Sequence, residues 1–126
     1  MDNIISKGGE KVNKKEQNLI DIDDFGNVEL KVASVVKVEE IEGADKLYKI
    51  TVDLDDEKRT LVAGIKKHYS KNELEGKKVI VVSNLKPATL MGVKSEGMLL
   101  AAKNDNGLSI LTLDKDIDNI VGSKVQ

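Results

Sequence analysis

Between Asn84 and Ala102 the chain sets amide, ammonium and hydroxyl groups at short intervals: Asn84, Lys86, Thr89, Lys94 and Ser95 surround Pro87 and two glycines, Gly92 and Gly97. Such groups bind phosphate and ribose, because an ammonium brings charge and donors to phosphate oxygens while amides and hydroxyls reach the sugar. Leu90, Met91 and Met98 lie among them. A methionine in a strand serves either as core or as a contact, and residue type alone leaves both open. Single-strand binders stack bases on several aromatic rings, whereas this chain has only Phe25, Tyr48 and Tyr69. A nucleic acid bound by this segment is therefore expected to be a folded RNA, met through its shape and backbone.

Other chemistries fail on inventory. No Gly-x-x-x-x-Gly-Lys loop, Gly-x-Gly-x-x-Gly turn or Gly-x-Ser-x-Gly elbow is present, so nucleotide and hydrolase sites of those kinds lack their backbone cradle. His68 is the only histidine, and base catalysis would need an orienting carboxylate beside it. It reads as a surface residue facing RNA or water. The absence of cysteine removes disulfides, thiolate catalysis and sulfur-ligated zinc together. Two acidic clusters invite a calcium test, and both fail it. Counting from Asp53 puts Lys58 where the loop glycine belongs and Gly64 where the bidentate glutamate belongs; counting from Asp114 puts Asn119 and Val125 there. No catalytic residue, metal or cofactor is expected.

The formal net charge of −2 argues against a polyanion partner, but the charge is segregated. From Lys58 to Lys103 ten basic residues face only Glu73, Glu75 and Glu96, while the acidic excess lies outside that segment. A charge run also describes a merely solvated face, so charge alone decides nothing. At 126 residues one domain is expected. Apolar runs such as Val79 to Val82 and Met98 to Ala102 fall far short of a bilayer span, and no secretory leader is visible. A cytoplasmic protein without membrane partners is expected.

The elements that must position the segment are mostly strands. Residues 1–18 are polar with a Gly-Gly pair and read as a linker or disordered tail, leaving 19–126 as the domain. Val28, Leu30, Val32, Val35, Val36 and Val38 form a long β-branched stretch whose alternation shifts phase near Ala33 and Ser34, which predicts a bulge. Leu47 to Leu54 alternates as a half-buried strand, Asp55 to Glu57 is a hairpin tip, and Thr60 to Ile65 returns as a third strand. Ser70 followed by Glu73 predicts a capping box for one helical turn. Lys78 to Val82 is a fourth strand; Met98 to Ala102 is another, pairing across an Asn106-Gly107 turn with Ser109 to Thr112. The pattern predicts an all-β, OB-fold five-stranded barrel with one short helix between strands 3 and 4 and terminal extensions.

The string NLKPATLMGVKSEGMLLAA, from Asn84 to Ala102, resembles the signature of the tRNA-binding domain family: Asn-Leu-Lys-Pro, a glycine, then Ser-x-Gly-Met before Leu-Ala-Ala. Upstream, IDDF (Ile22 to Phe25), VELKVASV (Val28 to Val35), EGADKLYKITVDL (Glu42 to Leu54), EKRTLVAGI (Glu57 to Ile65) and LEGKKVIVV (Leu74 to Val82) follow the family in order and spacing. The likeness covers residues 20–125 and is nearest to the domain at the C-terminus of bacterial methionyl-tRNA synthetases. Many members carry His-Pro at Glu42-Gly43, Arg at Lys31, Ser at Ala63 and Pro at Val121. Lys31 keeps the charge without the bidentate fork of arginine.

The resemblance implies a non-catalytic module that binds tRNA with little sequence preference. Its contact set is expected to be Asn84, Lys86, Lys94, Ser95 and Met98, with Lys31 and Lys46 on adjoining strands. It also implies a homodimer built from terminal extensions, attached to the catalytic part of a methionyl-tRNA synthetase or free-standing. Ile20, Ile22 and Phe25 before the barrel and Ile117, Ile120 and Val125 after it are apolar residues that need cover. A second copy or their own barrel would supply it equally well. The rival expectation is a dimerisation or docking module whose RNA groove is vestigial.

Overall fold

A computed structural model describes residues 18–126. The linker expected over residues 1–18 thus lies, apart from Asn18, outside the described residues. The β-branched stretch forms β1 (Leu30–Glu40), and this strand changes partner along its length. Leu30 to Ser34 pairs antiparallel with β4 (Lys78–Val82), and Ser34 to Glu40 pairs with β2 (Tyr48–Asp53). The register shifts between Val35 and Lys37, slightly later than the phase change in the sequence. Val35 N–H donates to Lys77 O and Val35 O accepts from Gly76 N–H, both at 2.9 Å. A bulge bends and twists its strand, and this one lets β1 serve both walls of a barrel. Ala33 joins the central core while its buried neighbour Val32 does not, which is why the alternation breaks before the bulge itself.

β3 (Lys58–Ala63) pairs with β2 from Tyr48↔Ala63 to Asp53↔Lys58, beginning two residues before the expected Thr60. β7 (Met98–Leu99) lies against β4, giving the order β3-β2-β1-β4-β7. Glu96 N–H, just before β7, donates to Thr60 O at 2.8 Å. The five strands therefore nearly close, as the OB pattern requires. Tyr48, Ile50 and Val52 alternate inward along β2, and with Leu54, Leu61, Leu74, Val79 and Val81 they fill the barrel. Each such aliphatic side chain contributes roughly 1.5–3 kcal/mol by leaving water. Leu74 reaches the core from α2 (Lys71–Leu74), one turn capped by the anticipated box: Ser70 Oγ accepts from Glu73 N–H while Glu73 Oε1 accepts from Ser70 N–H.

Three details differ from expectation. The strand Met98 to Ala102 is broken at Leu100, whose N–H donates to Ile80 O and whose carbonyl accepts from Leu111 N–H, each at 3.0 Å. Beyond the break, β8 (Ala101–Asn104) pairs with β9 (Gly107–Ile110), and Asp105-Asn106 rather than Asn106-Gly107 makes the turn. A five-residue helix, α1 (Ile22–Gly26), stands in the N-terminal extension.

The C-terminal extension runs along the edge of β1 that β2 leaves free: Gly122 N–H donates to Val32 O (2.7 Å), Val32 N–H to Ser123 O (2.9 Å) and Val125 N–H to Leu30 O (2.8 Å). Ile120 and Val125 are half-buried on their own chain. No helix among the described residues is long and apolar enough to cross a membrane.

Candidate nucleic-acid interface

The segment after β4 forms a hairpin that was expected only as turns. β5 (Ala88–Leu90) pairs with β6 (Val93–Ser95) in the register Ala88↔Ser95, Thr89↔Lys94 and Leu90↔Val93. Met91 and Gly92 link them with φ of 51° and 78°, the pair of positive angles that a two-residue I′ turn needs. Asn-Gly would have advertised this turn; Met-Gly does not.

Much of the polar chemistry in the segment holds it in place. Asn84 Oδ1 accepts from Glu29 N–H at 2.8 Å and its Nδ2 donates to Asn27 O at 2.7 Å, joining the root of the hairpin to the chain between α1 and β1. Ser95 is buried; its Oγ accepts from Val62 N–H at 3.0 Å and donates to Gly97 O at 3.2 Å. Gly97 is squeezed between strands, where a β-carbon would come within 2.9 Å of Val82 O and 3.1 Å of the Leu61 side chain. Ser83 Oγ donates to Glu29 Oε1 at 2.6 Å. That bond, outweighing the opposing effect of burial and helped by the charges of Lys31, Arg59 and Lys124, holds the Glu29 carboxyl below its ordinary range.

Two of the expected contacts are engaged within the chain. Ser95 is buried and its hydroxyl is committed to Val62 N–H and Gly97 O. Asn84 is exposed, but both ends of its amide are engaged within the chain. Lys86 and Lys94 are exposed and form no ion pair among the described residues. Met98 is 48% exposed, which decides its open role in favour of the surface, and Leu85, Leu90 and Met91 are similarly exposed.

Lys31 lies on β1 and Lys46 in the loop that follows it. Lys31 Nζ lies 4.0 Å from Glu29 Oε1, on the root side with Ser83. Lys46 belongs to the β1–β2 loop, and in that loop the Cβ position of Gly43 is 3.7 Å from Met91 Cε at the hairpin tip. The hairpin with its flanks thus carries Lys86, Lys94 and Met98, while the loop that holds Lys46 approaches its tip at Gly43. Arg59, the one arginine in the chain, was missed; its single occurrence among twenty basic residues was the available signal.

Several apolar side chains in the two extensions are also exposed. Ile20, Ile22 (80% exposed), Phe25 and Ile117 all face solvent, as do Leu19 and Val28, and α1 buries none of its residues.

Residues 30–122 match the sequence pattern of the family described as "Putative tRNA binding domain". A methionine–tRNA ligase of Methanococcus maripaludis is 54% identical over 119 residues, covering 94% of this chain and 17% of the ligase. The chain therefore spans about one sixth of that relative's length. Among solved structures, a MetRS-related protein from Pyrococcus horikoshii superposes with a TM-score of 0.80 at 40% identity, covering 86% of this chain and 99% of its own. A CsaA chaperone protein from Picrophilus torridus gives 0.77 at 29% identity, covering 86% and 100%.

Proposed function

Since the chain belongs to the tRNA-binding domain family, we propose that it binds tRNA along the Ala88–Ser95 hairpin and its flanks and makes or breaks no bonds itself. One observation carries the reading: Lys86 and Lys94 are exposed without a carboxylate partner among the described residues, just before and on a hairpin that the buried Ser95 hydroxyl ties to β3. Fixed ammonium groups bind phosphates by releasing counterions. Lys46 and Lys31 extend the contact, Lys31 more weakly because Glu29 competes for it. Met98, Met91 and Leu85 supply apolar contact to ribose and to any unpaired base. With the Asn84 amide committed, no free side-chain amide of the signature remains to read a base edge, so binding is largely independent of sequence.

The test is tRNA affinity as a function of salt. The logarithm of the affinity should fall linearly with the logarithm of salt concentration, and Lys86→Ala should reduce the slope by about one unit. Salt-independent affinity, or no binding in low salt, would reject the reading.

The apolar extension favours a second role alongside the first. Ile20, Ile22 and Phe25, with Ile117, form the centre of a homodimer interface, and Ile120 and Val125, packed on their own barrel, stiffen its margin. In a methionyl-tRNA synthetase such a domain would follow the catalytic part through the polar residues 1–18, in the cytoplasm. It would raise RNA affinity there through effective concentration; free-standing, it would act on tRNA alone. The rival is a dimerisation module with a vestigial groove. A stable dimer in sedimentation that fails to retard tRNA in a gel would favour that rival.

A further inference from the structure

Four of the five N–H bonds of Arg59 are committed within the chain. Nε and Nη2 donate side-on to Glu57 Oε1 and Oε2 at 3.1 and 3.2 Å, and Nη1 donates both to Ser83 O and to Glu96 O, the latter at 3.3 Å. Ser83 and Glu96 lie outside the strands and bracket residues 84–95, the whole of the hairpin with its lysines. The guanidinium thus gathers both roots of that segment onto β3, where Glu96 N–H also bonds Thr60 O.

We propose that Arg59 is a positioning residue for the RNA-contacting segment: it fixes the spacing and tilt of the two hairpin roots, and with them Lys86 and Lys94, without touching RNA. This rests on the reading that the hairpin binds tRNA. The side chain is only 22% exposed and its fork is nearly fully used, so little remains for a phosphate. The residue choice points the same way, because nineteen other basic positions are lysine. A lysine ammonium is a point donor on a flexible stem, and it cannot hold one carboxylate side-on while spanning two carbonyls in the same plane. A segment released at its roots regains conformational freedom, which each RNA-binding event must then remove.

The experiment compares Arg59→Met and Arg59→Lys with the parent chain by tRNA affinity across salt concentrations and by amide hydrogen exchange. Arg59→Met should weaken tRNA binding by about tenfold, the scale of losing charged hydrogen bonds, and leave the salt slope unchanged because no phosphate contact is lost. Amides of Ala88 to Ser95 should exchange faster while those of Ile50 and Val79 keep their rates, with Arg59→Lys intermediate in both measures. A slope lowered by one unit would overturn the proposal by making Arg59 a phosphate contact. Exchange that rises equally in core and hairpin, or in neither, would also overturn it. If Arg59→Met does not fold, Arg59→Lys together with Glu57→Gln decides, since the latter removes the carboxylate that sets the guanidinium's pose. If the parent chain binds no tRNA, the RNA reading fails, and the exchange pattern alone still settles whether Arg59 holds the hairpin.

Discussion

Gly97 and Ser95 show how a recognition signature divides between architecture and contact. Gly97 sits where a β-carbon would meet Val82 O at 2.9 Å, with φ of 149°. Gly97→Ala should therefore lower unfolding free energy by about 1–3 kcal/mol, as overpacking does, read from denaturant midpoints. A change within error would mean that the strands part easily at this point. Ser95 shows the limit of the sequence. A serine among lysines looks the same whether its hydroxyl faces RNA or the Val62 N–H, because residue type specifies donors and acceptors and not their direction. The same holds for Asn84. Titration belongs at this scale too. The Glu57 carboxyl is held below the ordinary value of 4.5, first by its hydrogen bond to Arg59, and that of Glu73 by the Ser70 backbone and hydroxyl of the capping box. Both groups have depressed folded-state values, so the unfolded chain takes up protons first as pH drops. Their stabilisation is complete above 4.5 and should fade as pH falls below it, lowering Tm in acid; Glu57→Gln should flatten that fall.

At the scale of elements, periodicity carried most of the fold. Alternation along β2, the continuous apolar run of β4 and the Ser70–Glu73 box each appear where sequence periodicity and capping chemistry predict them. The β5–β6 hairpin was illegible because its turn uses Met91 at positive φ, a conformation that costs a non-glycine residue about 1 kcal/mol and carries no compositional mark. Met91→Asn, which tolerates that conformation better, should protect the hairpin amides from exchange by a few-fold; equal or faster exchange would show that losing the Met91 side chain beside the Gly43 loop outweighs the relief of strain. The α1 helix was missed for another reason. Five residues are too few for a helical period to register, and isolated helices of that length do not persist in water. Its persistence here depends on neighbours, among them the Asn84 bond to Asn27 O.

For the molecule as a whole, the sequence foretold the nearly closed barrel, but not which terminal segment would be covered. Both extensions carried isoleucines; only the C-terminal one found backbone partners on β1, because the bulge leaves that edge of the strand open. The N-terminal apolar residues Leu19, Ile20, Ile22 and Phe25 stay exposed, where the proposed second copy would pack. Ile22→Asp should convert a dimer to monomer in sedimentation equilibrium without shifting the tRNA salt slope per chain; a parent chain that is already monomeric would remove the dimer from the account. In the proposed account the barrel presents one lysine-bearing hairpin rigidly. That claim is tested most directly by titrating the labelled domain with tRNA and following its backbone amide resonances. Perturbations should trace Lys31, Lys46, Lys86, Thr89, Lys94 and Met98 and leave α2 and the Asp105-Asn106 turn silent; shifts gathered at α2 or that turn, or none at all, would contradict it.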